Sequence, residues 1–197
     1  MICECLIMDE VKTLVYFDLE ATGLKSSGRP RITELSFIAV NTDNFLELSS
    51  QLRTQHPKDH IKVESFPRVM NKLTVCLYPM APIRPEVSDI TGLDNYNLSG
   101  QATFTAKTGK LLNSYLSHLP APICLVAHNG DRYDFPLLKA EMDKARIALP
   151  PDTLCADSYV GIKEIFRRRE EAKTENVENA VKSLGVFDVD KNKDKEC

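Results

Sequence analysis

Two short acidic segments each follow an apolar run, one early in the chain and one late. The first is Leu14-Val15-Tyr16-Phe17-Asp18-Leu19-Glu20-Ala21-Thr22-Gly23-Leu24. The second is Leu125-Val126-Ala127-His128-Asn129-Gly130-Asp131-Arg132-Tyr133-Asp134-Phe135. Asp18 and Glu20 end a strand-like run two residues apart, so alternation puts both carboxylates on one face. Side by side they repel unless a cation lies between them, and hard divalent ions such as Mg²⁺ or Mn²⁺ prefer oxygen ligands. Two such ions about 4 Å apart can activate a water and stabilise the leaving oxygen of a phosphodiester. Gly23, in the turn that follows, lets a ligand approach the backbone closely. In the second segment Arg132 can grip a phosphate, Tyr133 can stack on or hydrogen-bond a nucleotide, and Asp134 opens a helix. A carboxylate at a helix start is also a favourable cap, but the adjacent His, Asn, Arg and Tyr are harder to explain that way. The two segments together read as most of a two-metal phosphodiester-cleaving site.

The elements that must position these groups follow from periodicity. Residues Thr13 to Phe17, Leu35 to Val40 and Leu73 to Tyr78 are β-rich runs. Asn41 to Asn44 reads as a turn, with Phe45 to Leu48 starting the return strand of a hairpin. Gln51 to Pro67 is polar and reads as a surface loop, with His56 and His60 as surface histidines. A short helix from Pro85 is ended by Gly92. A longer one spans roughly Ser99 to Leu119, with Phe104, Leu111, Leu112, Tyr115, Leu116 and Leu119 on one face. Pro120 to Ala127 is a buried strand, Phe135 to Ala145 a helix, Thr153 to Ala156 a strand and Val160 to Arg169 a helix. Asn176 to Leu184 is a further possible helix. Strands first, then strands alternating with helices, argue an α/β layer architecture with a mixed sheet.

The chain has 197 residues, 43% of them hydrophobic, which suits one domain with a sizeable core. The expected organisation is a flexible N-terminus over 1–12, one domain over 13–187 and a charged, disordered tail over 188–197. Asp188 to Asp194 alternates oxygen ligands as a calcium loop does, but Lys193 stands where that loop needs Gly, so the segment reads as charged tail. A net charge of −3 argues against coating duplex nucleic acid through charge alone. Arg167, Arg168 and Arg169 form a basic patch at a helix end, readable as dipole complement or as a grip on a single strand. The six cysteines form no Cys-x-x-Cys pair, as expected of reduced thiols inside the cell. No stretch approaches the about 20 apolar residues of a membrane span. The expected location is cytoplasm or nucleus, without a membrane.

The strings FDLEATGL, DITGL and AHNGDRYDFPLL resemble the three-prime repair exonucleases, members of the DEDDh exonucleases. The resemblance runs from about Thr13 to Ile165, and more weakly on to Gly185 through Lys182-Ser183-Leu184-Gly185. It implies a ribonuclease H-like fold, a mixed sheet flanked by helices. It implies a 3′–5′ exonuclease that releases nucleoside monophosphates from DNA 3′ ends, with two Mg²⁺ ions and as a homodimer, in DNA repair or degradation. Asp18, Glu20 and Asp134 would then be catalytic, with Asp18 and Glu20 as metal ligands. Glu20, Ala21, Thr22, Leu24, Ile90, Thr91, Arg132 and Tyr133 would bind the substrate. The family's late histidine base and last aspartate ligand have no counterpart: no histidine follows His128, and nothing near Asp157 replaces the motif. The resemblance therefore implies a domain truncated at its C-terminal end. Loss of the base costs on the order of 10²–10⁴-fold in rate. The alternative expectation is an inactive protein that binds DNA ends or pairs with an intact subunit and inhibits it.

Overall fold

The computed structural model describes residues 11–24, 28–54 and 67–183. The chain divides into two compact units, Met1–Ser158 and Tyr159–Cys197. The first holds a five-stranded mixed sheet in the order β3-β2-β1-β4-β5. Its strands are β1 (Thr13–Ala21), β2 (Ile32–Asn41), β3 (Val69–Cys76), β4 (Ile123–Ala127) and β5 (Leu154–Asp157). β1, β2 and β3 pair antiparallel, whereas β1, β4 and β5 run parallel. The helices are α1 (Thr42–Thr54), α2 (Pro85–Thr91), α3 (Ala106–His118), α4 (Asp134–Ala145) and α5 (Ser158–Ser183).

Alternation sorts the sheet into two faces. Val15, Phe17, Leu19 and Ala21 of β1 join Leu35, Phe37 and Ala39 of β2 and Leu125 and Ala127 of β4 in one core. Leu112 and Leu116 of α3 and Leu137, Leu138 and Met142 of α4 cover that face. Phe17 and Phe37 stack with centroids 4.9 Å apart. A fully buried side chain of this size contributes roughly 1.5–3 kcal/mol, so this face carries most of the first unit's stability. On the other face Leu14, Val40 and Cys124 form a smaller cluster with Phe45 and Val126 against it. Further along that face Tyr16 and Ile38 are exposed, and Asp18 and Glu20 follow.

Three expectations are corrected. Phe45 to Leu48 is not a return strand but part of α1. Asn41 Oδ1 accepts the Asn44 N–H at 3.1 Å, which caps a helix start, and Phe45 then turns toward the smaller cluster. α3 starts at Ala106 rather than Ser99, where Thr105 is the N-cap and its backbone N–H donates to Thr108 Oγ1 at 3.4 Å. Leu112 and Leu116 are buried on α3, but Leu111 is exposed. The two helices expected after β5 are one, α5. No Gly or Pro interrupts the chain between Ile162 and Ser183, so nothing breaks the ladder. Gly92 ends α2 as expected, in the left-handed region at φ 73°.

The described part of the second unit is α5 from Tyr159 to Ser183. Arg167 pairs with Glu164 and Glu171, Arg168 with Glu164 at 2.7 Å and Lys173 with Glu170 at 2.8 Å. Carboxylates on the same helix thus offset the charge of two of the three arginines. Exposed pairs of this kind contribute about 0–1 kcal/mol each. Among the described residues no helix is long and apolar enough to cross a membrane. The expected N-terminal segment up to Glu10, the loop residues 55–66 with His56 and His60, and the tail 188–197 lie outside the described residues.

Candidate active site

The candidate residues gather where β1 and β4 end side by side. Ligands commonly bind outside the carboxyl ends of parallel strands. Asp18 and Glu20 point away from the apolar core, since Phe17, Leu19 and Ala21 take the inward positions of β1. After β4 the chain turns sharply through residues 128–133. Asn129 adopts φ 57°, a conformation Asn tolerates better than most residues. Gly130 sits so close to its neighbours that an added Cβ would lie 2.7 Å from Ala127 Cβ and 2.8 Å from Phe135 Cε2. Backbone bonds close the turn, with the Phe135 N–H donating to Gly130 O at 3.0 Å. Asp134 then opens α4, almost fully buried.

A hollow of about 470 Å³ lies at this corner, lined by Asp18, Leu19, Leu24, His128, Asn129, Arg132, Tyr133 and Asp134. A second hollow of about 360 Å³ shares Asp18 and His128 with it and extends along the open face past Tyr16, Ser36 and Ile38. Five of the sequence candidates thus meet in one place: Asp18, Leu24, Arg132, Tyr133 and Asp134. Glu20 is not in the lining, but its carboxyl is pushed up by burial and then by the charges of Asp18, Glu34 and Asp134. Burial and the charge of Asp18 push the Asp134 carboxyl up to about 6, against the pull of the backbone N–H groups of Asp134 and Leu19. Burial likewise raises the Tyr133 hydroxyl, reinforced by Asp134 and Glu20.

The remaining candidates do other things. The Ala21 side chain belongs to the core. Thr22 is buried and bonded on both sides to Arg31, its N–H donating to Arg31 O at 2.9 Å and its Oγ1 accepting the Arg31 N–H at 3.1 Å. Arg31 in turn lies 3.3 Å from the buried carboxylate of Glu141 on α4, which also accepts from Lys144 at 2.8 Å. The Tyr133 hydroxyl donates to Gly23 O at 2.6 Å, tying the β1 exit turn to the start of α4. Ile90 is strongly exposed at the end of α2, and the Thr91 hydroxyl bonds back to Val87 O at 3.0 Å. Just before α2, Arg84 Cδ stands 4.0 Å from where a Cβ on Gly23 would be.

One contributor carried no clear signal. Glu34 stands opposite Glu20 in the β1–β2 register and opposite Cys76 across β3, whose thiol donates to Glu34 Oε2 at 3.3 Å. Only the pairing register reveals that row. His128, within 3.2 Å of Ser158 Oγ through Nδ1, and Asn129 stood beside Asp134 in the second acidic segment, and both line the hollow.

The donor chemistry fits a hard divalent cation: the groups are carboxylate oxygens, and burial and then their mutual repulsion raise the proton affinity of Glu20 and Asp134. Among the described residues no three His, Cys, Asp or Glu side chains yet converge to coordinating distance. A cation drawing Asp18 and Glu20 together would relieve that repulsion.

No family model matches the chain. It is 42% identical over 158 residues to "Three-prime repair exonuclease 1" of Bos taurus, covering 79% of this chain and 48% of that protein. It is 41% identical over 158 residues to "Three prime repair exonuclease 2" of Homo sapiens, covering 79% of this chain and 63% of that protein. The chain thus spans from about half to under two thirds of the length of these relatives. In three dimensions it matches the metal-free E. coli exonuclease I–single-stranded DNA complex with a TM-score of 0.55 at 12% identity, over 79% of this chain and 30% of that one. A product-bound exonuclease I structure matches with a TM-score of 0.54 at 12% identity, over 75% of this chain and 30% of that one. The five-stranded mixed sheet with its helices is the ribonuclease H-like exonuclease fold.

Proposed function

We propose, from its similarity to the three-prime repair exonucleases, that this chain is a metal-dependent 3′–5′ exodeoxyribonuclease acting on single-stranded DNA 3′ ends. The observation that carries the reading is the meeting of Asp18, Asp134, Arg132 and Tyr133 in one hollow at the ends of parallel strands. Asp18 and Glu20 would hold two Mg²⁺ ions, or Mn²⁺, with Asp134 beside them. Divalent metal supplies a water nucleophile at neutral pH and stabilises charge at the phosphate. Arg132 presents a guanidinium suited to a backbone phosphate, and Tyr133 adds an aromatic face, its hydroxyl reaching the phosphate to be cleaved only by exchanging its bond to Gly23 O. Leu24, 64% exposed, offers an apolar edge for the terminal base. The backbone of Glu20, Ala21 and Thr22 borders the 3′ nucleotide, with Ile90 and Thr91 closing its pocket. The products are nucleoside monophosphates. The chain acts as a homodimer, and β3, one of the sheet's two edge strands, offers an edge for the second copy.

The test is incubation of the purified chain with Mg²⁺ and a 5′-labelled single-stranded oligonucleotide, with Asp18→Asn as control. Stepwise shortening from the 3′ end that disappears in the control supports the reading. Cleavage by Asp18→Asn at the unsubstituted rate removes the assigned site. Tight binding without cleavage replaces the reading with the alternative, a protein that holds DNA ends without cutting them.

A further inference from the structure

Asp157 ends β5 and takes no part in the lining of the 470 Å³ hollow. Its carboxylate nevertheless reaches the turn that builds the hollow's wall. Oδ1 accepts the backbone N–H of Asn129 at 2.9 Å, and Oδ2 accepts that of Asp131 at 3.1 Å. The two donors flank Gly130, the residue with no room for a side chain. A turn of this kind leaves backbone N–H groups without helix or sheet partners. One ionised carboxylate satisfies two of them with charge-assisted bonds, about twice as strong as neutral ones.

We infer that Asp157 is a positioning residue for the candidate active site: its carboxylate clamps the backbone on both sides of Gly130 and so sets where Arg132, Tyr133 and Asp134 stand. The inference rests on the proposed function for the meaning of that placement, but not for the clamp itself. β5 pairs with β4 in parallel, with Ala127 opposite Asp157. The residue that clamps the turn is therefore held in register by the strand from which the turn departs. The clamp has to be a carboxylate. Asparagine at 157 would keep one acceptor and set an N–H₂ group against the second N–H, and alanine would release both.

The experiment compares the full chain with Asp157→Asn and Asp157→Ala by two readouts. The first is residue-resolved amide hydrogen exchange. The second is binding of a 5′-fluorescein single-stranded oligonucleotide, measured by anisotropy. Leu112→Ala, a core substitution on α3, serves as a control for general destabilisation. Asp157→Ala is expected to speed exchange at Asn129 and Asp131 by about tenfold or more, the loss of one net hydrogen bond each. Asp157→Asn is expected to restore protection at one of the two amides. Affinity is expected to fall about tenfold in Asp157→Ala, less in Asp157→Asn and not beyond the loss of folded protein in Leu112→Ala. Unchanged exchange at both amides in the substituted chains overturns the clamp. Faster exchange with unchanged affinity overturns the positioning role. Should Asp157→Ala fail to fold, Asp157→Asn decides by the one-amide pattern: loss at neither amide overturns the inference. An unsubstituted chain that binds no oligonucleotide removes the proposed function, and exchange alone then decides the clamp.

Discussion

Substituting Asp134→Asn should make the protein more stable at neutral pH. Asp134 is 6% exposed, and its carboxyl is pushed from 3.8 up to about 6 by burial and by Asp18. Below about pH 4 the group is protonated in the folded and unfolded chain alike and carries no penalty. Between about pH 4 and 6 the unfolded chain loses its proton first, so folding takes up a proton and stability falls as pH rises. Above about pH 6 the penalty is complete. A shift of about two units corresponds to about 3 kcal/mol. Asparagine accepts less well from the N–H groups of Asp134 and Leu19 and gives up the helix-start charge interaction of about 0.3–1 kcal/mol. The expected net gain at pH 7.5 is therefore about 1–2 kcal/mol, a rise in Tm of roughly 2–8 °C for a chain of this size. The assay is thermal unfolding of both proteins from pH 4 to 8 in the presence of EDTA. The difference should be small near pH 4 and grow through pH 6. Parallel Tm curves across that range would refute the claim that the site holds uncompensated negative charge. In the unsubstituted protein Mg²⁺ should recover part of the difference, since a bound cation stabilises the ionised form.

Glu141→Ala should cost about 2–4 kcal/mol. It removes a charge-assisted bond to Lys144, about 1.5–3 kcal/mol, and one buried methylene at about 0.8 kcal/mol. Arg31 and Lys144 are 30% and 40% exposed, so both can turn to water and the full cost of an orphaned buried charge does not arise. Urea unfolding reads the change, and a loss under about 1 kcal/mol would show that the ion pairs of Glu141 contribute little to stability. Gly130→Ala should cost about 1–3 kcal/mol through overpacking against Ala127 and Phe135. A variant of unchanged urea midpoint would show that the turn has more room than its 2.7 Å approach implies.

Much of this protein is legible along the chain. The period of two in Val15, Phe17, Leu19 and Ala21 marks an inward face and so leaves Asp18 and Glu20 together on the other. Gly92 stops α2 by its own conformation, and the long HNGDRYDFPLL string points to the family. These features are local, because side-chain size, alternation and backbone freedom act within a few residues. Other features were decided only in three dimensions. Asn41 and Phe45 read as a hairpin, but the cap at Asn41 and the cluster around Leu14 make a helix. Ala21 and Thr22 read as substrate contacts, but the core and Arg31 hold their side chains. Glu34 joins Glu20 through strand register, and Asp157 reaches residues 26 and 28 positions earlier. Such pairings arise when strands distant in sequence settle into the one register that buries both apolar faces. The sequence alone determined which residue types are available for the chemistry. The tertiary structure decided which of them share one corner, because the burial and charge that perturb a carboxylate exist only once those strands are packed.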